Sequence, residues 1–86
     1  MGSADNYTDG VNAFKRGEYK SAIAKLRPLA IDGDPNAQLL LGEMSLEGYG
    51  TIQNYKEAAE WFRASAEQGL PKAQYSLGEM YYYGRG

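Results

Sequence analysis

Two carboxylates are the residues best placed to do chemistry. Glu43 and Glu79 stand 36 positions apart in the same setting, Leu41-Gly42-Glu43-Met44 and Leu77-Gly78-Glu79-Met80. Equivalent carboxylates on neighbouring structural units can share acid–base work or hold a hard cation. Neither role is completed. The chain of 86 residues has no histidine, the commonest general base and transition-metal ligand, and no cysteine, which excludes disulfides and thiolate chemistry. Without a histidine, a nucleophile or a clustered third acid, the pair reads as solvated surface. Gly48-Tyr49-Gly50 and Gly84-Arg85-Gly86 have the outline of phosphate-cradling loops. No strand precedes either and no Gly-Lys-Ser/Thr follows, so both read as helix C-caps. No catalytic, cofactor-binding or metal-binding residue is assigned, and the chain reads as a binder and not an enzyme.

The elements that carry these residues are set out by an internal repeat. Gly33 through Met44 returns at the same 36-residue offset as Gly69 through Met80, and Tyr19-Lys20-Ser21-Ala22 returns as Tyr55-Lys56-Glu57-Ala58. A fixed period in this range marks a solenoid, whose units bury their apolar faces against one another. Glycines punctuate the chain, and each intervening segment has the helical period. The spacing predicts five helices, near 4–16, 19–32, 35–47, 55–68 and 71–83. Tyr7, Val11 and Phe14 make the first apolar stripe, and Tyr19, Ala22, Ile23, Leu26 and Ala30 the second. Asp34 and Pro35 are suited to start the third helix, as N-cap and first-turn residue. Its stripe is Ala37, Leu40, Leu41 and Met44; Tyr55, Ala58, Ala59, Phe62 and Ala66 follow, then Ala73, Leu77 and Met80. Gly42 and Gly78 fall inside helices, where glycine costs about 1 kcal/mol relative to alanine. The repetition implies a close approach that offsets this cost, with Leu26 or Phe62 filling the space beside the small residues.

Composition narrows the partners. A net charge of −2 with interspersed signs leaves no electrostatic footprint for nucleic acid or an anionic membrane. No apolar run approaches the roughly 20 residues of a membrane span. Met1-Gly2-Ser3 reads as a leader foreign to the repeat, which leaves localisation open between the cytoplasm and the periplasm or exterior.

Ala73 to Gly86 resembles the first helix of a Sel1-like repeat, and Tyr55 to Gly69 resembles its second helix and exit glycine. That family is a longer-looped relative of the tetratricopeptide repeat, which Phe14 to Ile23 resembles more closely. Gly10 to Ala22 spans 12 residues whereas Gly42 to Ala58 spans 16. The resemblance implies an all-α, right-handed solenoid of antiparallel helix pairs. Residues 4–33 would form a tetratricopeptide-like first unit, 34–69 a Sel1-like repeat, and 70–86 the first helix of a further repeat, truncated or acting as a cap. Asp9 and Ser45 depart from the pattern, Ser45 replacing an aromatic.

In such arrays the first helices line a concave groove. The resemblance therefore assigns partner contact to a second stripe, Leu39, Glu43 and Leu46 in one unit and Tyr75, Glu79 and Tyr82 in the next, with Tyr83 beside them. Tyr81 is expected to pack inward and Trp61 to lie across the seam between units. The implied function is a non-catalytic scaffold that captures a peptide or protein segment. The competing reading is a small-molecule or cell-wall ligand binder of enzyme-like type, known among disulfide-rich relatives and disfavoured here by the missing cysteines. At the C-terminal end, the inner face of the last helix (Ala73, Leu77 and Met80) is expected to stay uncovered and to pair two copies about a two-fold axis.

Overall fold

The computed structural model of the chain describes residues 3–85 as five helices: α1 (Ser3–Lys15), α2 (Tyr19–Ile31), α3 (Pro35–Glu47), α4 (Tyr55–Ala66) and α5 (Pro71–Tyr82). Met1, Gly2 and Gly86, parts of the expected leader and last loop, lie outside the described residues. Every predicted helix is present, with ends displaced by at most two residues. The helices pack chiefly on their neighbours in sequence, most heavily as the pairs α1–α2 and α3–α4. The result is an elongated α-solenoid of 39 × 26 × 17 Å.

Local chemistry sets the helix ends. The Asp34 carboxylate accepts from the backbone N–H groups of Asn36 (2.9 Å) and Ala37 (3.3 Å), satisfying two orphan donors at the start of α3. Asn54 does the same for α4 through the Glu57 N–H at 3.0 Å. Leu70, the repeat equivalent of Asp34, gives α5 no side-chain cap. Gly48 ends α3 in the left-handed region, φ 76°, and its N–H bonds the Met44 carbonyl, as the C-cap reading requires. The Ala-Gln pair of each repeat also has a structural task. Gln38 Nε2 donates to the Ala30 carbonyl at 3.0 Å, and Gln74 Nε2 repeats the bond to Ala66 at 3.3 Å. Each glutamine thereby satisfies a carbonyl in the last turns of the preceding helix and fixes the entry of the next.

Two apolar cores result. The first joins Ala13, Ala22, Leu26, Leu29, Ala30, Ala37, Leu41 and Met44, with Tyr7, Phe14 and Trp61 packed on it. Trp61 of α4 thus bridges the seam as expected. The second joins Leu39, Ala58, Ala59, Phe62, Ala73 and Met80, with Leu46 and Leu77 at its edge. Because α3 lies between α2 and α4, it buries both faces, and its two stripes serve two cores. That overturns the placing of Leu39 on an exposed groove wall: it is 7% exposed and packs in the second core.

The end of the stack also differs from expectation. Ala73 and Met80 are buried, Met80 at 2% exposure, because α5 turns its apolar stripe toward the second core. The large apolar side chains that α5 leaves exposed are instead Tyr75, Tyr81 and Tyr82. Tyr81 does not pack inward; its hydroxyl accepts from Arg63 Nη2 at 2.6 Å on the surface. Ser45 is buried, and its carbonyl accepts the Asn54 N–H at 2.8 Å, tying the loop 48–54 to α3.

Candidate functional site

A cleft of about 490 Å³ opens between α3 and α5. Glu43, Leu46 and Glu47 line it from α3, and Ser76, Glu79 and Met80 from α5. Phe14 of α1, Phe62 of α4, and Tyr49, Tyr83 and Arg85 beyond the helix ends complete its lining. The odd-numbered helices, the first of each pair, thus supply most of its walls.

Aromatic contacts fix several of the lining residues. Tyr49 stacks on Tyr19 with ring centroids 4.8 Å apart and planes 19° apart, and lies edge-on to Phe14 at 5.9 Å. One repeat later, Arg85 occupies the position of Tyr49 and Tyr55 that of Tyr19. The Arg85 guanidinium sits 5.7 Å from the Tyr55 ring and 5.6 Å from the Tyr83 ring, within cation–π range. The Gly-x-Gly loops are therefore latches as well as caps: their middle residue lies against the first aromatic of the helix two elements back. Gly50 permits this. With φ 75°, it approaches so closely that a Cβ there would lie 2.7 Å from Tyr19 Cβ.

The cleft is acidic. Glu43 is half-buried, and loss of hydration raises its pKa above the ordinary carboxylate value; Glu47 adds to the rise and Lys72 opposes it. Glu47 is a third acid lining the same cleft, which the sequence reading did not place there. Among the described residues the single ion pair is Arg16–Glu18, on an exposed turn, and neither residue lines the cleft. The Glu79 carboxylate, also in the cleft, raises the pKa of the neighbouring Tyr75 phenol by its charge and by a hydrogen bond. No group of three or more His, Cys, Asp or Glu among the described residues converges as a metal site. No described helix is long and apolar enough to cross a membrane.

The expected contact residues separate into three environments. Glu43, Leu46, Glu79 and Tyr83 line the cleft. Tyr75 and Tyr82 lie outside it, on a shallower depression shared with Gly78, Glu79 and Tyr83. Leu39 belongs to neither. Phe14, Glu47, Tyr49, Ser76 and Arg85 were missed as cleft residues, and Phe62 and Met80, expected in the core, line the cleft as well. The repeat offset relates 19 to 55 and 49 to 85 but does not say that 19 meets 49 or 55 meets 85; those contacts, and the convergence of Phe14 with α5, come from the tertiary structure.

The family model described as Sel1 repeat matches residues 35–70 and 71–86. Among solved structures, the chain is similar to c5321, a protective antigen present in uropathogenic Escherichia coli strains that displays an SLR fold. The TM-score is 0.90 at 38% identity, over 98% of this chain and 19% of that one. It is also similar to a Sel1 repeat protein from Oxalobacter formigenes, with TM-score 0.84 at 30% identity, over 98% of this chain and 66% of that one. The chain thus spans about a fifth of the first neighbour and just under two thirds of the second. No curated protein matches.

Proposed function

The chain belongs to the Sel1 repeat family, whose members are generally protein-interaction modules, and from that membership we propose a non-catalytic scaffold that holds a peptide or protein segment in the cleft between α3 and α5. The observation that carries this reading is the lining itself: partly exposed Leu46, with buried Phe62 and Met80, beside three carboxylates, Glu43, Glu47 and Glu79. Arg85, the single cation of the lining, is engaged over two tyrosine rings. A segment that combines an apolar side chain with lysine or arginine complements such a surface, since opposite charges steer encounter and set register.

Selection from a displayed random-peptide library tests the proposal. Captured peptides are expected to be enriched in lysine and arginine. They should be lost from a Glu43→Lys, Glu47→Lys double variant whose circular-dichroism spectrum matches the parent. Binding that survives charge reversal would move the site to the outer face or the loops.

A further inference from the structure

A depression of about 290 Å³ on the flank of α4 is lined by Glu57, Glu60, Trp61 and Ala64 and shares no residue with the α3–α5 cleft. The spacing i, i+3, i+4, i+7 puts all four on one stripe of the helix. Glu57, Trp61 and Ala64 are half-buried, and Glu60 is exposed. Trp61 packs on the first core, which is built from α1, α2 and α3. Ala59 and Ala66, on the other flank of α4, pack with Ala73 and Met80 of α5 in the second. The depression therefore lies on the flank turned toward the preceding unit. A helix stacked beyond α5 would meet the opposite flank, so continuation of the array leaves this one open.

Nothing in the repeat demands these side chains. By the 36-residue offset they correspond to Ser21, Ala24, Lys25 and Pro28 of α2, so neither the ring nor the carboxylates occupy a shared packing position. The fully buried positions of the two helices do agree in kind, Ala22 with Ala58 and Leu26 with Phe62. The carboxylates also carry a cost, because like charges one turn apart on a helix repel. Among the described residues neither Glu57 nor Glu60 takes part in an ion pair. The open part of the indole thus stands between two acids that no described cation neutralises.

We infer that this depression seats the guanidinium of an arginine side chain presented by a partner protein. Indole is the aromatic ring that attracts a cation best. The two carboxylates beside it supply the opposite charge and accept N–H groups. A guanidinium satisfies both at once, since it is planar enough to stack on a ring and its five donors lie in the same plane. The small side chain of Ala64 leaves room for the aliphatic stem. A bound cation also relieves the Glu57–Glu60 repulsion. A lysine ammonium serves less well, being a compact and strongly hydrated point charge that cannot stack. The contact stands apart from the segment proposed for the cleft, and one side chain alone supplies affinity of about the millimolar order.

Trp61 is the single tryptophan of the chain, so its indole N–H resonance reports this site alone. The probes are the peptide acetyl-Ala-Arg-Ala-amide, its lysine and citrulline counterparts, and methylguanidinium as a free cation. The arginine peptide is expected to shift the resonance saturably, with a dissociation constant of about the millimolar order that rises with salt. The lysine peptide and methylguanidinium, which lacks the stem, should each bind more weakly, by about threefold and about tenfold. Citrulline, neutral and of the same shape, should give no saturable shift. Replacing both acids, Glu57→Gln with Glu60→Gln, breaks no ion pair and should weaken the arginine peptide by about tenfold at unchanged circular dichroism. The Glu43→Lys, Glu47→Lys variant, which tests the cleft, should leave the response intact. No saturable shift, an equal response to any of the other three probes, or a response that survives loss of Glu57 and Glu60 would overturn the inference. So would a response abolished by the cleft variant, or a shift on concentrating the parent chain alone, which would give the pocket to a second copy.

Discussion

Gly42 and Gly78 occupy the same repeat position and face opposite consequences of the same substitution. Alanine at Gly42 would drive its Cβ to 2.5 Å from the Phe62 ring, which is fully buried and cannot retreat. Alanine at Gly78 meets open space. Gly42→Ala is therefore expected to destabilise by about 1–3 kcal/mol through overpacking. Gly78→Ala should stabilise by up to about 1 kcal/mol through helix propensity. Urea unfolding of the two variants decides the matter, and equal signs would refute the contrast in packing at the two glycines. Glu43 carries a second residue-scale prediction. Its folded-state pKa is raised, chiefly by lost hydration, so the folded protein holds this proton more tightly than the unfolded chain does. The associated stability is present at acid pH, below the unfolded carboxylate value. It is lost as pH rises through the folded value. Glu43→Gln should flatten that part of the pH–stability profile and leave the protein more stable than the parent at neutral pH.

At the scale of elements, the loop between α3 and α4 is ordered by specific bonds and not by its composition. Gln53 Nε2 donates to the Leu46 carbonyl at 2.8 Å, and the Asn54 N–H donates to Ser45 at the same distance. Gly50 lies against the first turn of α2 in the left-handed region, at φ 75°. Gly50→Ala combines an unfavourable φ, worth about 1–2 kcal/mol, with a clash against Tyr19. It is expected to lower the thermal midpoint and to weaken the near-ultraviolet signal of the Tyr19–Tyr49 stack while the five helices persist. A midpoint equal to that of the parent would mean that the loop does not bear on α2.

At the scale of the whole molecule, a solenoid distributes stability by neighbours. Substantial packing joins each helix only to those before and after it, so stability is roughly a sum of local units and their interfaces. α3 contributes to both cores, whereas α1 packs chiefly on α2 and α5 chiefly on α4. Native-state hydrogen exchange should be slowest in α3 and fastest in α1 and α5, because opening an end helix breaks one interface and opening α3 breaks two. Protection highest at α5 would contradict this sum of neighbour interfaces.

The amino-acid sequence by itself determined the number of helices, their ends and the repeat that relates them. Those features rest on local chemistry: Asp34 and Pro35 at a helix start, Gly48 at a helix end, and apolar residues at helical spacing. The core stripe on Ala37, Leu41 and Met44 was legible for the same reason. What a second stripe does was not legible, since period alone cannot say whether a face meets solvent, ligand or another helix. Leu39 and Tyr75 hold equivalent positions, yet the fold buries one beneath α4 and leaves the other open on α5. The gathering of Glu43, Glu47 and Glu79 into one cleft likewise depends on how far neighbouring helices splay. That angle is set by the sizes of side chains meeting across each seam, Phe62 on Gly42 above all, and only tertiary packing decides it.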